Sequence, residues 1–234
     1  RRLRVGAEGS VYTSLGSLVH EVLEEVEGAA LTAGEAHGTL PSALEALERR
    51  WDPAPFGGGA WAEAWQRRAQ EALRHLYEQW PGKGRVVAVE WPLALEVDGV
   101  LWRGRADRID ILPGEPRRLQ IIDYKTARQP VGVAEAAASI QLGFYVLAAA
   151  ADPHLTSLGA AAAAEMWFPA ARTRRVAVRS FDPARLPEVG RRMAEVAAGI
   201  TAERWDPQPG SHCRTCTVRR VCPAWPEGRE AFLG

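Results

Sequence analysis

Two acids and a lysine stand at spacings that could hold a divalent cation and put it to work. Asp107 lies in the run Gly104-Arg105-Ala106-Asp107-Arg108-Ile109-Asp110, and Asp123 with Lys125 closes the run Ile121-Ile122-Asp123-Tyr124-Lys125. Carboxylate oxygens bind hard cations such as Mg2+ or Mn2+. A cation so held polarises a phosphoryl group and lowers the pKa of bound water, while an ammonium steadies the charge that develops. Strand residues two apart share a face, so Asp123 and Lys125 act together while Tyr124 points into the opposite layer. An isolated acid-x-Lys pair turns up by chance in any chain of this size; the Gly-x-x-Asp-Arg run before it makes the pair specific. Other polar residues stand in the same series: His20 four residues after Gly16, Glu90 in Val89-Glu90-Trp91, and Gln141 with Tyr145 four residues on. Glu90 reads equally as a catalytic acid or as an ordinary polar position on a strand face.

The elements that must position these groups can be read from periodicity. Leu15, Leu18, Val19, Val22, Leu23 and Val26 recur at helical spacing over 15–26, which sets His20 at the border of a buried face. Residues 28–41 read as a loop, and 44–51 and 61–80 as helices divided by the Pro53–Gly59 breaker stretch. Residues 85–95 and 100–112 read as antiparallel strands joined at Asp98-Gly99, a strong hairpin signal. A third strand over 118–125 follows, which makes Asp107 and Asp123 neighbours. One helix over 133–151 carries Gln141 and Tyr145 on one face. Strands over 160–168 and 175–181 and a helix over 183–204 complete the pattern. It predicts an α/β domain, a central mixed sheet flanked on both faces by helices.

This series resembles the RecB-like branch of the PD-(D/E)XK nuclease superfamily, and in particular the iron-sulfur nuclease domains of AddB/AdnB-like bacterial helicase-nucleases, over roughly residues 14–224. The resemblance implies a restriction-endonuclease-like core with His20, Asp107 and Asp123 as ligands of Mg2+ or Mn2+ and the Tyr124 carbonyl as an additional ligand. It implies that Lys125 orients or activates the attacking water, and that Gln141 and Tyr145 contact the DNA backbone or support Lys125. Glu90 falls where the family often has an acid. The organisation implied is a nuclease domain over 1–210, with a helical part at 14–80 and a catalytic core at 85–204, followed by a cysteine loop at 211–224.

The three cysteines, Cys213, Cys216 and Cys222, are the only ones in the chain and form C-x2-C-x5-C. Clustered thiols of odd number make no disulfide framework, and metal ligation is the better reading. Zinc held with one outside ligand is one form of it. The resemblance implies another, a [4Fe-4S] cluster whose fourth cysteine lies upstream. No fourth cysteine exists here, Arg1 is not a start methionine, and the expectation is a C-terminal fragment of a larger protein. His212 is an available but poorly placed substitute.

Composition bounds the partners. Lys plus Arg and Asp plus Glu both number 29, so the chain as a whole is no basic nucleic-acid binder. Its arginines cluster instead: Arg103, Arg105 and Arg108 around the first acid, Arg172, Arg174 and Arg175 at a later turn, and Arg214, Arg219 and Arg220 among the cysteines. Arg105 and Arg108 are expected to guide DNA through bidentate phosphate contacts. Trp61, Trp65, Trp91 and Trp102 are expected mostly to pack the core. No apolar run reads as a membrane span, and the thiols suit a cytoplasmic protein. The expected activity is metal-dependent cleavage of single-stranded DNA in double-strand break repair, alongside a helicase motor domain or partner subunit, since no Walker loop occurs in the sequence. Two alternatives stay open: a module of the same fold that binds DNA or a partner without cutting, and a stand-alone exonuclease of the CRISPR-adaptation type.

Overall fold

The computed structural model describes residues 10–214, 216–226 and 228. Ser10 accepts from the Thr13 N–H and starts helix α1, which runs Val11–Ala33 and stops where Gly34 takes φ 73°. The loop expected from Gly28 is therefore corrected. The helix continues through that glycine because Ala30 is still buried, and Gly34 supplies the left-handed stop. Thr39 caps α2 (Leu40–Arg50), earlier than the periodicity suggested, and α3 follows at Gly59–Glu78.

Strands β1 (Arg85–Val97) and β2 (Val100–Leu112) form the expected hairpin. Asp98 and Gly99 both adopt positive φ, 49° and 76°, as the tight turn requires. Strand β3 (Arg118–Tyr124) pairs antiparallel with β2. The chain then crosses over through α4 (Val133–Ala137), α5 (Ile140–Ala151) and α6 (Pro153–Leu158) to β4 (Ala160–Phe168), which lies parallel to β3. Strand β5 (Ala177–Ser180) returns antiparallel, and α7 (Leu186–Thr201) follows. The strand order β1-β2-β3-β4-β5 makes one mixed sheet.

Its two faces bury different sets. Ile109, Leu119 and Ile121 pack with Leu142, Phe144 and Val146 of α5 and Val189 and Met193 of α7. Ile122, Tyr124 and Trp167 pack with Leu18, Val22 and Leu23 of α1 and Leu73 and Leu76 of α3. Each such aliphatic side chain removed from water contributes about 1.5–3 kcal/mol. The helix expected over 133–151 is broken at Ala138, and Ser139 caps α5 by accepting from Leu142 N–H. This 19-residue stretch has a mean hydropathy of 1.5, long and apolar enough by composition to cross a membrane, contrary to the expectation from sequence. Seven α5 residues are nevertheless buried within the protein, as in a core helix. Of the four tryptophans expected mostly to pack the core, Trp65, Trp91 and Trp102 do, and Trp61 at the start of α3 is the exception at 74% exposed.

Candidate metal centre and active site

Two glycines bring the site's elements together. A Cβ on Gly16 would sit 3.3 Å from Thr126 Oγ1, so α1 lies directly against the segment that follows Lys125, and His20 is one turn further along. A Cβ on Gly104 would reach within 2.6 Å of Phe144 and 3.2 Å of Tyr145, so β2 is pressed against α5 three residues before Asp107. The glycines of the Gly-x-x-x-His and Gly-x-x-Asp runs thus permit close approach.

His20 Nδ1 lies 3.5 Å from Asp107 Oδ1. Glu90 stands between the pairs Val89–Arg108 and Trp91–Ala106, opposite Asp107. It holds φ at 48°, a left-handed conformation costing a non-glycine residue about 1–3 kcal/mol and kept where the surroundings impose it. Strict alternation fails here: Asp107 reaches His20 and Arg108 reaches Glu27, so consecutive side chains of β2 both meet α1. One ligand atom each from His20, Glu90 and Asp107 falls within 4.8 Å of the others.

Asp123 stands beside this triplet rather than within it, on the α5 side. Its Oδ1 accepts from Gln141 Nε2 at 2.9 Å and Tyr145 Oη at 3.3 Å. Lys125 Nζ is 2.7 Å from Asp123 Oδ2. At this separation the contact is a close ion pair, and the ammonium draws the pKa of the buried carboxyl down against the burial that raises it. Gln141 also accepts from Lys125 Nζ at 3.2 Å and donates to Tyr145 Oη at 2.8 Å. In this geometry Gln141 and Tyr145 hold Lys125 and Asp123. The Tyr124 N–H donates to Asp107 Oδ2 at 2.6 Å, a backbone contact between the two acid strands that no side-chain pattern could reveal.

The electrostatics mark a site short of positive charge. Burial opposes a charged imidazole at His20, yet Asp107, Asp123 and Glu90 outweigh it and hold its pKa above the ordinary histidine value. Burial, then the charges of Asp107 and Glu24, push Glu90 up. Burial and then Asp107 push Asp123 up, against Lys125. Three clustered oxygen and nitrogen ligand atoms and this excess of negative charge fit a hard divalent cation.

The arginines divide. Arg105 has an exposed side chain, 3.6 Å from Glu90. Arg108 as a DNA contact is corrected: it is fully buried, its Nε 2.5 Å from Asp110 Oδ1, its Nη1 on Glu27 and its Nη2 2.7 Å from Ala36 O. The break in alternation turns it inward, where Tyr77 Oη also donates to Glu27 and the Trp80 ring lies 4.8 Å away. Sequence reasoning missed Glu27 because an acid on a helix reads as solvated.

Cys213, Cys216 and Cys222 are partly exposed around two short 3-10 turns, Ser211–Arg214 and Arg219–Val221. Among the described residues their sulfurs form no ligand group within 4.8 Å. Three thiols do not complete an all-cysteine [4Fe-4S] shell, so the residues present do not by themselves fit that cluster.

A family model described as the PD-(D/E)XK nuclease superfamily matches residues 1–223. The chain is similar to the Gene 69 protein of Mycobacterium phage D29, 29% identical over 154 residues that make up 63% of this chain and 52% of that protein. It thus spans about half the length of that curated relative. A solved structure described as "Crystal structure of SSO0001" is 17% identical, covering 94% of this chain and 88% of that one, with a TM-score of 0.40.

Proposed function

The chain belongs to the PD-(D/E)XK nuclease superfamily, and from that premise we propose that it is a metal-dependent nuclease that cuts single-stranded DNA. The observation that carries the reading is the convergence of His20, Glu90 and Asp107 within 4.8 Å beside the paired Asp123 and Lys125. His20, Asp107 and Asp123, with the Tyr124 carbonyl, would hold Mg2+ or Mn2+, and Glu90 would add or position an oxygen. The cation when bound supplies Lewis acidity and a more acidic water. Lys125 orients or activates the water that attacks phosphorus in line, and its ammonium offsets charge developing on the phosphoryl oxygens. The P–O3′ bond breaks, leaving a 5′-phosphate. Gln141 and Tyr145 fix Lys125 and Asp123 in the geometry this step needs.

We extend the proposal to the nuclease module of a cytoplasmic helicase-nuclease in DNA repair and recombination, with a motor domain or partner subunit feeding it the strand. The ordered motifs support that extension, and the three cysteines would hold an iron-sulfur cluster only with a fourth ligand from elsewhere.

Cleavage of end-labelled single-stranded DNA with Mn2+ and with EDTA, wild type against Lys125→Ala, tests the reading. Metal-dependent cutting that falls about 10²–10³-fold in the variant is expected. Binding without cutting by the wild type would replace the nuclease with a binding module of the same fold.

A further inference from the structure

Outside the metal centre, the turn after β4 and the segment after β3 close over α3 around a cavity of about 260 Å³. Arg68, Arg128 and Arg172 line it from three separate parts of the chain, with Glu71 as its acidic member. The Arg68 guanidinium lies 4.2 Å from the Trp65 ring and 5.7 Å from that of Tyr12, an aromatic brace in place of a carboxylate. Arg128 and Arg172 are exposed, and neither has an ion-pair partner among the described residues. His75 is fixed through Nδ1 to Pro169 O at 2.8 Å, while its buried Nε2 has no hydrogen-bond partner among them. Three arginines against the single acid Glu71 leave the cavity lining locally positive.

This cavity adjoins the site already described. Leu15 lines both it and the neighbouring cleft formed by Tyr12, Thr13, Gly16, Ser17, His20 and Thr126. Leu15 precedes His20 by five residues, roughly 7.5 Å along a helix. Tyr12, in the same cleft, is 63% exposed and packs edge-on against Trp65 with ring centroids 5.1 Å apart, which holds its ring without covering it.

We propose that the Arg68–Arg128–Arg172 pocket takes a backbone phosphate of single-stranded DNA beside the scissile one, with a base stacked on Tyr12. The proposal rests on the nuclease reading for its ligand and deepens it by giving the strand a path along α1. Guanidinium forks match phosphate oxygens bidentately, and an aromatic face accepts any base.

The test is fluorescence anisotropy of a labelled single-stranded deoxyoligonucleotide in EDTA, titrated at several KCl concentrations, so that neither cutting nor the cation contributes. The double variant Arg128→Ala/Arg172→Ala is expected to bind about tenfold or more weakly. Its slope of log Kd against log salt should be lower by roughly 0.7, one phosphate's worth of counterions. Tyr12→Ala is expected to weaken binding by roughly fivefold or more with no change in slope. Arg128→Lys/Arg172→Lys, which keeps both charges, should restore the slope. Wild-type affinity and slope in the double alanine variant would overturn the pocket, as would a wild type that does not bind the oligonucleotide. A wild type that binds with the expected slope yet fails to cut with Mn2+ would remove the nuclease reading while leaving the pocket in place.

Discussion

Replacing Arg108 with methionine removes the guanidinium that Glu27 and Asp110 share at zero exposure. Methionine fills much of the volume beside Trp80 but returns none of the three hydrogen bonds to Asp110, Glu27 and Ala36 O. Removing one partner of a buried ion pair costs about 3–5 kcal/mol, because the remaining charge is stranded. For a domain of this size that is roughly 6–20 °C in Tm. The deficit depends on pH. Burial, opposed by Arg108, already holds Asp110 up at about 6, above its unfolded value, so this group favours the native state at low pH and that contribution is lost as pH rises through 6. Without the guanidinium the carboxyl rises further, and the stability gap between variant and wild type should be wider at pH 7.5 than at pH 5. Thermal unfolding at the two pH values measures both quantities. A variant within about 1 kcal/mol of wild type at pH 7.5, or one with normal stability and a selective loss of DNA binding, would refute the buried-network account and return Arg108 to the DNA surface.

Other outcomes follow from the same geometry. Asp107→Asn should weaken Mn2+ binding about tenfold or more by calorimetry. In the wild type, Mn2+ affinity should rise with pH, since His20, Glu90 and Asp123 are all held up and their protons must leave before the cation enters; a pH-independent affinity between pH 6 and 8 would contradict that. Gly104→Ala should cost about 1–3 kcal/mol by driving a methyl into Phe144, with cutting reduced as α5 shifts Gln141; denaturant unfolding and the cleavage assay read the two effects. Tyr124→Phe should be neutral or slightly stabilising in the same unfolding measurement, because the hydroxyl is buried without a hydrogen-bond partner among the described residues.

Much of this architecture is legible from local rules. Asp98-Gly99 can only be a tight turn at those backbone angles, and Asp123 and Lys125 pair because two residues make one strand repeat. Legibility ends where alternation does. The β1–β2 register shifts between Val86 and Ala88, opposite Asp110 and Ile109, and Glu90, two residues past Ala88, holds a left-handed φ, so faces near Arg108 cannot be assigned by counting and Arg108 reads as surface although it is core. Glu27 and Tyr77 escape notice because their partners are 81 and 50 residues away. The Arg68 pocket is equally nonlocal, since no spacing relates its three arginines. Only the fold's close approaches, those of Gly16 and Gly104 above all, turn a series of separated letters into one site.

The left-handed backbone at Glu90 sets stability against chemistry at a single position. Glycine would adopt φ 48° without the penalty a side chain incurs there, and would also relieve a carboxyl crowded by Asp107 and Glu24. Selection for a sturdier fold alone would therefore favour glycine at position 90. Glu90→Gly should therefore stabilise the fold in denaturant unfolding while removing one of the three clustered ligand atoms.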